Sequence, residues 1–507
     1  MKHRIILSSA RPLHPSGAWG DAMSELRSQG HEIVATMGNE LPKDWPDTPR
    51  ILPNNIRGLQ PTHPRASIRG LQEYATYRSS PGYPQTHSML LLMMSRVDST
   101  GTFRSLEREV LARKIHLEIF TALVEAQPTL GIFDVTPHEA LDFALLRVLE
   151  WKKIPVLMFQ PSLVGPQVMA RTSVTDILPL ALDPAGLSRH SEALEEVHRI
   201  ADASIQRLAH GTGTPKMDNQ KAKEALVGTL GSRLSALRFS LRRLRTPGRD
   251  VAFALTGHTR IPLRVRRALE LLLERSLRRS LRHRIEGLPS LREAPSHRFA
   301  LFALHYEPER SSIPEGYPFD SQLDAIAAVR SILPEEVTLY VKEHFSQQAA
   351  ALRGFVGRSP DFYDLLESLP GVTVLGTKTN TRELMRSAEC VMTFTGKVGI
   401  EAALEGSRVL YLGQPWWGQM PGAHNFHNLK SYQDFLSASI PAPTEVQGWL
   451  EEQIRSALLP GVSSVTPERH SKRIAQLPAG FEALEAEAIV AAAKAVMAQA
   501  GKGSQDA

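Results

Sequence analysis

The sequence predicts an α/β protein with two Rossmann-like, doubly wound domains facing across a cleft and a basic helical segment between them. Three observations lead there. A chain of 507 residues exceeds what one hydrophobic core usually supports. Both halves alternate short strand-like runs with amphipathic helices, the pattern of a parallel sheet covered on both faces. Between the halves lies a stretch dominated by arginine.

In the first half, RIILSS reads as a strand and AWGDAMSELRSQG as a helix ended by Gly30, with HEIVAT a second strand. Residues 40–100, rich in Pro, Arg and Gly, read as long loops with broken helices. A helix over Leu106–Ala126, a strand over Thr129–Asp134, a helix over His138–Trp151 and the strand IPVLMFQ follow. The second half alternates more cleanly, from RFALFALH and SQLDAIAAVRSIL through VTLYVKE, PDFYDLLESLP and VTVLG to TRELMRSAE, CVMTFT, VGIEAALEG and RVLYLG. The expected domains are 1–190, an α/β domain; 191–297, the arginine-rich helical segment; 298–480, the second α/β domain; and 481–507, a helix with a flexible tail.

Apolar content of 42% and charged content of 22% are ordinary for a folded chain. Cys390 is the single cysteine, so no internal disulfide forms, and the absence of CxxC or Cys/His clusters predicts no metal site. The longest purely apolar run, Met89–Met94, is far below the roughly 20 residues that span a bilayer. With no secretory signal visible, a cytoplasmic location is expected.

From Arg233 to Arg284 the chain carries fifteen arginines against three acids, while its overall net charge is only +6, so the remainder is net acidic. Leu234, Leu237, Leu241 and Leu244 recur at helical spacing, as do Leu269, Leu272, Leu273 and Leu277. Amphipathic helices with arginine-rich faces suit an anionic membrane surface. The alternative is a solvated connector whose arginines pair with the acidic remainder. Nucleic acid is disfavoured, because only Phe239 and Phe253 interrupt the basic run and no recognition motif accompanies it.

Four polar clusters fall where the alternation puts strand ends, the usual edge for ligands in such sheets. His305, Glu307 and Glu309 follow RFALFAL; Lys342 and His344 follow VTLYV. Lysine there would neutralise a phosphate and histidine would hydrogen-bond one. Thr395, Gly396 and Lys397 form a Gly-rich turn able to cradle phosphate, with Glu401 one turn on, placed to accept from ribose hydroxyls. In the first half, Asp134, His138 and Glu139 flank Thr136-Pro137, which reads as a helix cap and first turn. Carboxylate and imidazole at a strand end suit base or nucleophile chemistry. Plain alternatives stand beside each: a solvated turn, a structural ion pair, a cap.

Taken in order, HYEPE with SSIPEGYPFDSQ, YVKEH, the helix bearing Asp361, Phe362 and Tyr363, TFTGKVGIEA and VLYLGQPWW closely resemble the capsule polysaccharide biosynthesis family. That is the bacterial GT-B glycosyltransferase group containing the capsule and O-antigen Kdo transferases. The resemblance is strong over residues 299–420 and continues more faintly through FDVTPHEALDF and IPVLMFQPS. It implies a nucleotide-sugar donor at the C-terminal domain, and a surface-polysaccharide or glycolipid acceptor at the N-terminal one. It also places Glu307, Lys342, His344, Thr395, Gly396 and Glu401 at the donor. Phe345 stands where the family commonly has a proline tied to CMP-sugar binding, and Lys397 where it has a small residue. CMP and Kdo are therefore candidates only. No Asp-x-Asp occurs, so metal-independent transfer is expected, with no cofactor beyond the nucleotide-sugar co-substrate. Two other readings of the same build are a nucleotide-sugar epimerase and a non-catalytic scaffold in polysaccharide assembly.

Overall fold

The computed structural model describes residues 2–9, 17–38, 48–52, 66–97, 105–162, 164–175, 180, 182, 187, 190–210, 263–349, 352–462 and 472–503. The chain divides into two compact units, one formed by Met1–Met94, Arg104–Ile205 and Gly448–Ala507, the other by Ser95–Phe103 and Gln206–Gln447. Each contains a six-stranded, mostly parallel sheet interspersed with helices. The predicted doubly wound α/β class is therefore the observed one.

The first unit runs β1 (Arg4–Ser9), α1 (Ala18–Ser28), β2 (Glu32–Gly38), α2 (Ile68–Arg78), α3 (Tyr83–Val97, as far as Met94), α4 (Ser105–Ala126), β3 (Leu130–Phe133), α5 (Ala140–Trp151), β4 (Val156–Pro161), β5 (Gln167–Arg171) and α6 (Ser191–Ala209, as far as Ile205). Gly30 follows α1 at φ +89°, a left-handed position natural to glycine past a helix end. Two expectations need correction here. Residues 66–97 hold two regular helices, not broken ones: Tyr74 and Tyr77 pack against His116 and Phe120 of α4, and Met89, Met93 and Met94 are buried. Helix α5 starts at Ala140, with Glu139 as its cap residue, so Thr136 does not cap it.

The second unit runs α7 (Leu263–Glu286), β6 (Phe299–Ala303), α8 (Gln322–Ile332), β7 (Thr338–Lys342), α9 (Pro360–Glu367), β8 (Val372–Leu375), α10 (Thr381–Ser387), β9 (Val391–Thr393), α11 (Val398–Leu404), β10 (Val409–Tyr411) and β11 (Ala423–Asn425), followed by α12 (Tyr432–Ser437). Its strands are nearly continuous apolar runs, as burial on both faces demands, and Phe302, Val341, Met392 and Leu410 are fully enclosed.

Then the chain returns. Helix α13 (Pro443–Ser456), β12 (Leu459–Pro460) and α14 (Phe481–Gly503) complete the first unit. β12 pairs antiparallel with β5, and Gln167 Nε2 donates to the Ile454 carbonyl at 2.8 Å. Phe481, Leu484, Ile489 and Val496 enter the same core as Ile5 and Leu157. The boundary expected at residue 480 therefore falls at 447/448. The boundary expected at 190 falls at 205/206, since Val197, Ala201 and Ile205 of α6 bury in the first unit. Sequence reading missed this because a two-residue strand has no periodicity to detect. Residues 504–507, the expected tail, lie outside the described residues.

Candidate functional site

Strand order fixes where a site can form. The second sheet runs β11-β10-β9-β6-β7-β8, so its connectivity reverses between β6 and β9. The first runs β12-β5-β4-β3-β1-β2 and reverses between β1 and β3. Beyond the carboxyl ends of strands at such a reversal, the two connecting loops part and leave a crevice.

In the second unit, His305 lies just past β6 and Thr395 just past β9. The His305 ring is buried, with Nδ1 3.1 Å from Ser311 Oγ and Nε2 3.1 Å from Thr393 Oγ1. The Thr395 N–H donates to Nε2 at 3.2 Å, so Nε2 is an acceptor and the proton belongs on Nδ1. Burial, with Arg358 nearby, lowers this imidazole's pKa to about 4, so it stays neutral. His305 is a buried pin between two loops. Gly396 fits around it: a Cβ there would come 3.3 Å from His305 Nε2 and 2.9 Å from Thr393 Oγ1. Gly399 has a similar reason, since a Cβ would lie 2.3 Å from the Trp417 ring. Both glycines of the expected phosphate cradle thus answer packing, and α11 behind them spans only seven residues.

Glu307 and Glu309 are held just as firmly. The Glu307 N–H and carbonyl both pair with the Gln347 side chain, and its carboxylate lies 3.6 Å from Arg358. Ser311 Oγ donates to Glu309 Oε2 at 3.2 Å, and Arg96 donates to the Glu309 carbonyl at 3.1 Å. Thr395 Oγ1 donates to the Ser311 carbonyl at 2.9 Å. His344 Nδ1 accepts from Ser346 N–H at 3.1 Å, capping a turn.

The charges of Lys342 and Lys397 both act on Glu401. Burial pushes the Glu401 carboxyl above the ordinary carboxylate range, while the positive charges of Lys397, Arg382 and Lys342 act the other way. Lys342 ends β7, Lys397 ends the turn after β9, and Glu401 follows on α11. Two lysines and a carboxylate thus stand at or just beyond these strand ends.

Beneath it lies an ion network that sequence reading missed. Arg358 and Glu343 are fully enclosed, 3.4 Å apart. Tyr363 donates to Glu343 Oε2 at 2.6 Å, and Arg358 donates to the His305 carbonyl at 2.6 Å while stacking 4.3 Å over Phe362. The sequence signals were slight: an acid beside Lys342 and an arginine before a Ser-Pro helix start.

In the first unit, Asp134 sits at the reversal between β1 and β3, its N–H donating to the Ser8 carbonyl at 3.2 Å. The residue is buried. His138 Nδ1 lies 3.0 Å from the Thr136 carbonyl, which fixes the ring, and Glu139 precedes α5. Asp142, which sequence reading passed over within the apolar ALDFALL run, is also buried, and its Oδ1 accepts from Phe143 N–H at 2.8 Å. Burial first, then the negative charges of Glu139 and Asp134, push the Asp142 carboxyl well up. Burial and neighbouring like charges both disfavour the ionised form of Asp142. Among the described residues no group of three His, Cys, Asp or Glu is arranged to hold a metal.

No family model matches the chain, and no curated protein does. Among solved structures it is similar to the beta Kdo 2,7 transferase of Thermosulfurimonas dismutans KpsC, at 11% identity and a TM-score of 0.29, over 74% of this chain and 97% of that one. It is similar also to the beta Kdo 2,4 transferase of the same KpsC, at 11% identity and 0.27, over 63% and 77%. A third is the UDP-GlcNAc 2-epimerase of Neisseria meningitidis bound to UDP-GlcNAc, at 11% and 0.19, over 97% and 99%. Scores this low add nothing to the site.

Proposed function

We propose that the chain is a glycosyltransferase that moves a sugar from a nucleotide-sugar to a surface-polysaccharide or glycolipid acceptor, as the GT-B resemblance in its motifs implies. The observation that carries this reading is the placement of chemistry in both sheets. Lys342, Lys397 and Glu401 gather at the strand ends of one, and Asp134 stands at the reversal of the other. The lysines take the donor's phosphates and offset charge on the leaving nucleotide, and Glu401 accepts from ribose hydroxyls. Asp134 deprotonates the acceptor hydroxyl or attacks the anomeric carbon, and Asp142, whose carboxyl is pushed up by burial and by Glu139 and Asp134, lies within reach of its charge. Kdo carried by CMP is the first donor to try.

A panel of CMP-, UDP-, GDP- and dTDP-linked sugars tests this by thermal shift, since a ligand at 100 times its Kd stabilises the fold by about 2.7 kcal/mol. One nucleotide should raise Tm and support transfer. Interconversion of the sugar without an acceptor would replace transfer by epimerisation, and no response to any of them would remove the nucleotide-sugar reading. Lys342→Ala and Glu401→Ala should each weaken that donor by roughly ten- to a hundredfold, one charge-assisted contact contributing about 1.5–3 kcal/mol. Unchanged affinity in both would move the donor site elsewhere.

We propose further that α7 rests on an anionic membrane surface. Leu281 and Ile285 bury in the second unit, but Leu272, Leu273 and Leu277 are exposed beside Arg275 and Arg279. On the same helix Arg278 donates to the Leu352 carbonyl, Arg282 pairs with Glu286, and Arg284 with Asp364 and Glu367. Residues 211–262, the first part of the basic segment, lie outside the described residues. Among the described residues no helix is long and apolar enough to cross a membrane. The protein should sediment with anionic vesicles at low salt and leave them near 0.5 M salt, where the screening length is only a few ångströms (about 3 Å at 1 M). Equal sedimentation with neutral vesicles, or none, would leave α7 a solvated connector.

A further inference from the structure

The first unit contains a cavity of about 480 Å³ that the proposed function does not use. It is walled by the end of α5, the turn into β4, the segment after β5 and the last turns of α14. It touches Val156, the first residue of β4, whereas Asp134 follows the last residue of the parallel neighbour β3. The cavity therefore lies at the opposite edge of the sheet from Asp134.

Its lining is polar and specific in three respects. Lys153 adopts φ +56°, the left-handed region, at the first residue beyond the α5 cap. Glycine or asparagine ordinarily stands there, because a longer side chain crowds its own backbone. The chain instead keeps a lysine and so brings a cation to the wall. Glu150, one turn back, pairs through Oε2 with Arg147, while its Oε1 is buried with no hydrogen-bond partner. A buried acceptor without a donor is costly, so a donor supplied by a ligand would stabilise both. Opposite stand the hydroxyls of Thr172, Ser173 and Thr175, the last two 2.9 Å apart. The volume falls within the range of small-molecule sites.

We propose that this cavity binds a small hydroxylated anion. Its anionic group pairs with Lys153, one of its hydroxyls donates to Glu150 Oε1, and others exchange hydrogen bonds with the serine and threonine hydroxyls. A sugar phosphate and a sugar carboxylate share this chemistry. The site is separate from the strand-end residues assigned above to transfer.

The experiment titrates the full chain by calorimetry with glucose 6-phosphate and with glucuronate, each competed by inorganic phosphate. Saturable one-to-one binding of either probe is expected. Competition by phosphate marks the phosphate source, and glucuronate binding without it marks the carboxylate source. Lys153→Gly should weaken the bound probe tenfold or more while raising Tm, because glycine relieves the left-handed strain. Lys153→Asn, which also tolerates that conformation, should weaken it equally. Asp134→Asn should bind the probe as the unaltered protein does, which separates this site from the transfer reading. No saturable binding of either probe would overturn the proposal, as would undiminished binding in both Lys153 variants.

Discussion

Replacing Asp134 by asparagine is expected to cut sugar-transfer turnover a hundredfold or more while donor affinity and Tm stay close to their original values. The substitution preserves shape and leaves untouched the backbone bond from Asp134 N–H to the Ser8 carbonyl. It removes the charge and turns one acceptor oxygen into a donor, and loss of a general base or nucleophile costs at least that much. Helix capping does not compete as an explanation, because α5 begins at Ala140, beyond Glu139. Asp142→Asn supplies the contrast. Burial and the charges of Glu139 and Asp134 already disfavour a charged Asp142, so a neutral amide there should change stability little, and turnover should fall only as far as Asp134 depends on its neighbour. Near-normal turnover of Asp134→Asn with a confirmed donor would transfer the chemistry to Glu139 or His138.

The largest expected loss of stability comes from Arg358→Ala. The guanidinium is fully enclosed between Glu343 and Glu307, and removing it leaves the Glu343 carboxylate buried without an opposite charge. Breaking a buried pair by deleting one partner typically costs about 3–5 kcal/mol. The unfolding transition of the second unit should move accordingly, while that of the first should not. Arg358→Lys should recover little, because an ammonium cannot reach the His305 carbonyl, Glu343 and the Phe362 face at once. A double variant, Arg358→Met with Glu343→Gln, should recover more than either single change, since no buried charge is then left alone. If Arg358→Ala melts with the unaltered protein, the network is not a structural keystone.

The second unit was legible in the sequence almost strand by strand. Its runs are apolar, short and punctuated by helix starts such as Ser321 before α8, whose hydroxyl accepts from Leu323 and Asp324 N–H. Periodicity records burial, and these strands are buried on both faces. What lay beyond reach were long-range meetings: β12 against β5, and Arg358 between loops that follow β6 and β7. No local pattern names a partner 53 or 287 residues away. The site shows the same division. Placement at strand ends was readable for Lys342, Lys397, Glu401 and Asp134. The inward roles of His305, Glu307 and Gly396 were not, because a motif names residue types without saying whether they face a ligand or one another. Asp142 escaped notice because an acid within an apolar helix face looks like an interruption of the pattern.

The return of residues 448–503 to the first sheet bears on the order in which the chain can acquire its structure. Synthesis proceeds from the N-terminus, and domains generally fold as they emerge. Here the first unit lacks β12 and α14 until the last residues appear, so β5 waits as an open edge and Ile5 and Leu157 wait without Leu484 and Ile489. The second sheet, whose strands all lie between Phe299 and Asn425, meets no such delay. The later half of the gene should therefore finish first, and the earlier half should depend on whatever shields its unfinished core in the interval. A fragment ending at residue 447 should accordingly keep a folded second unit beside an aggregation-prone first one.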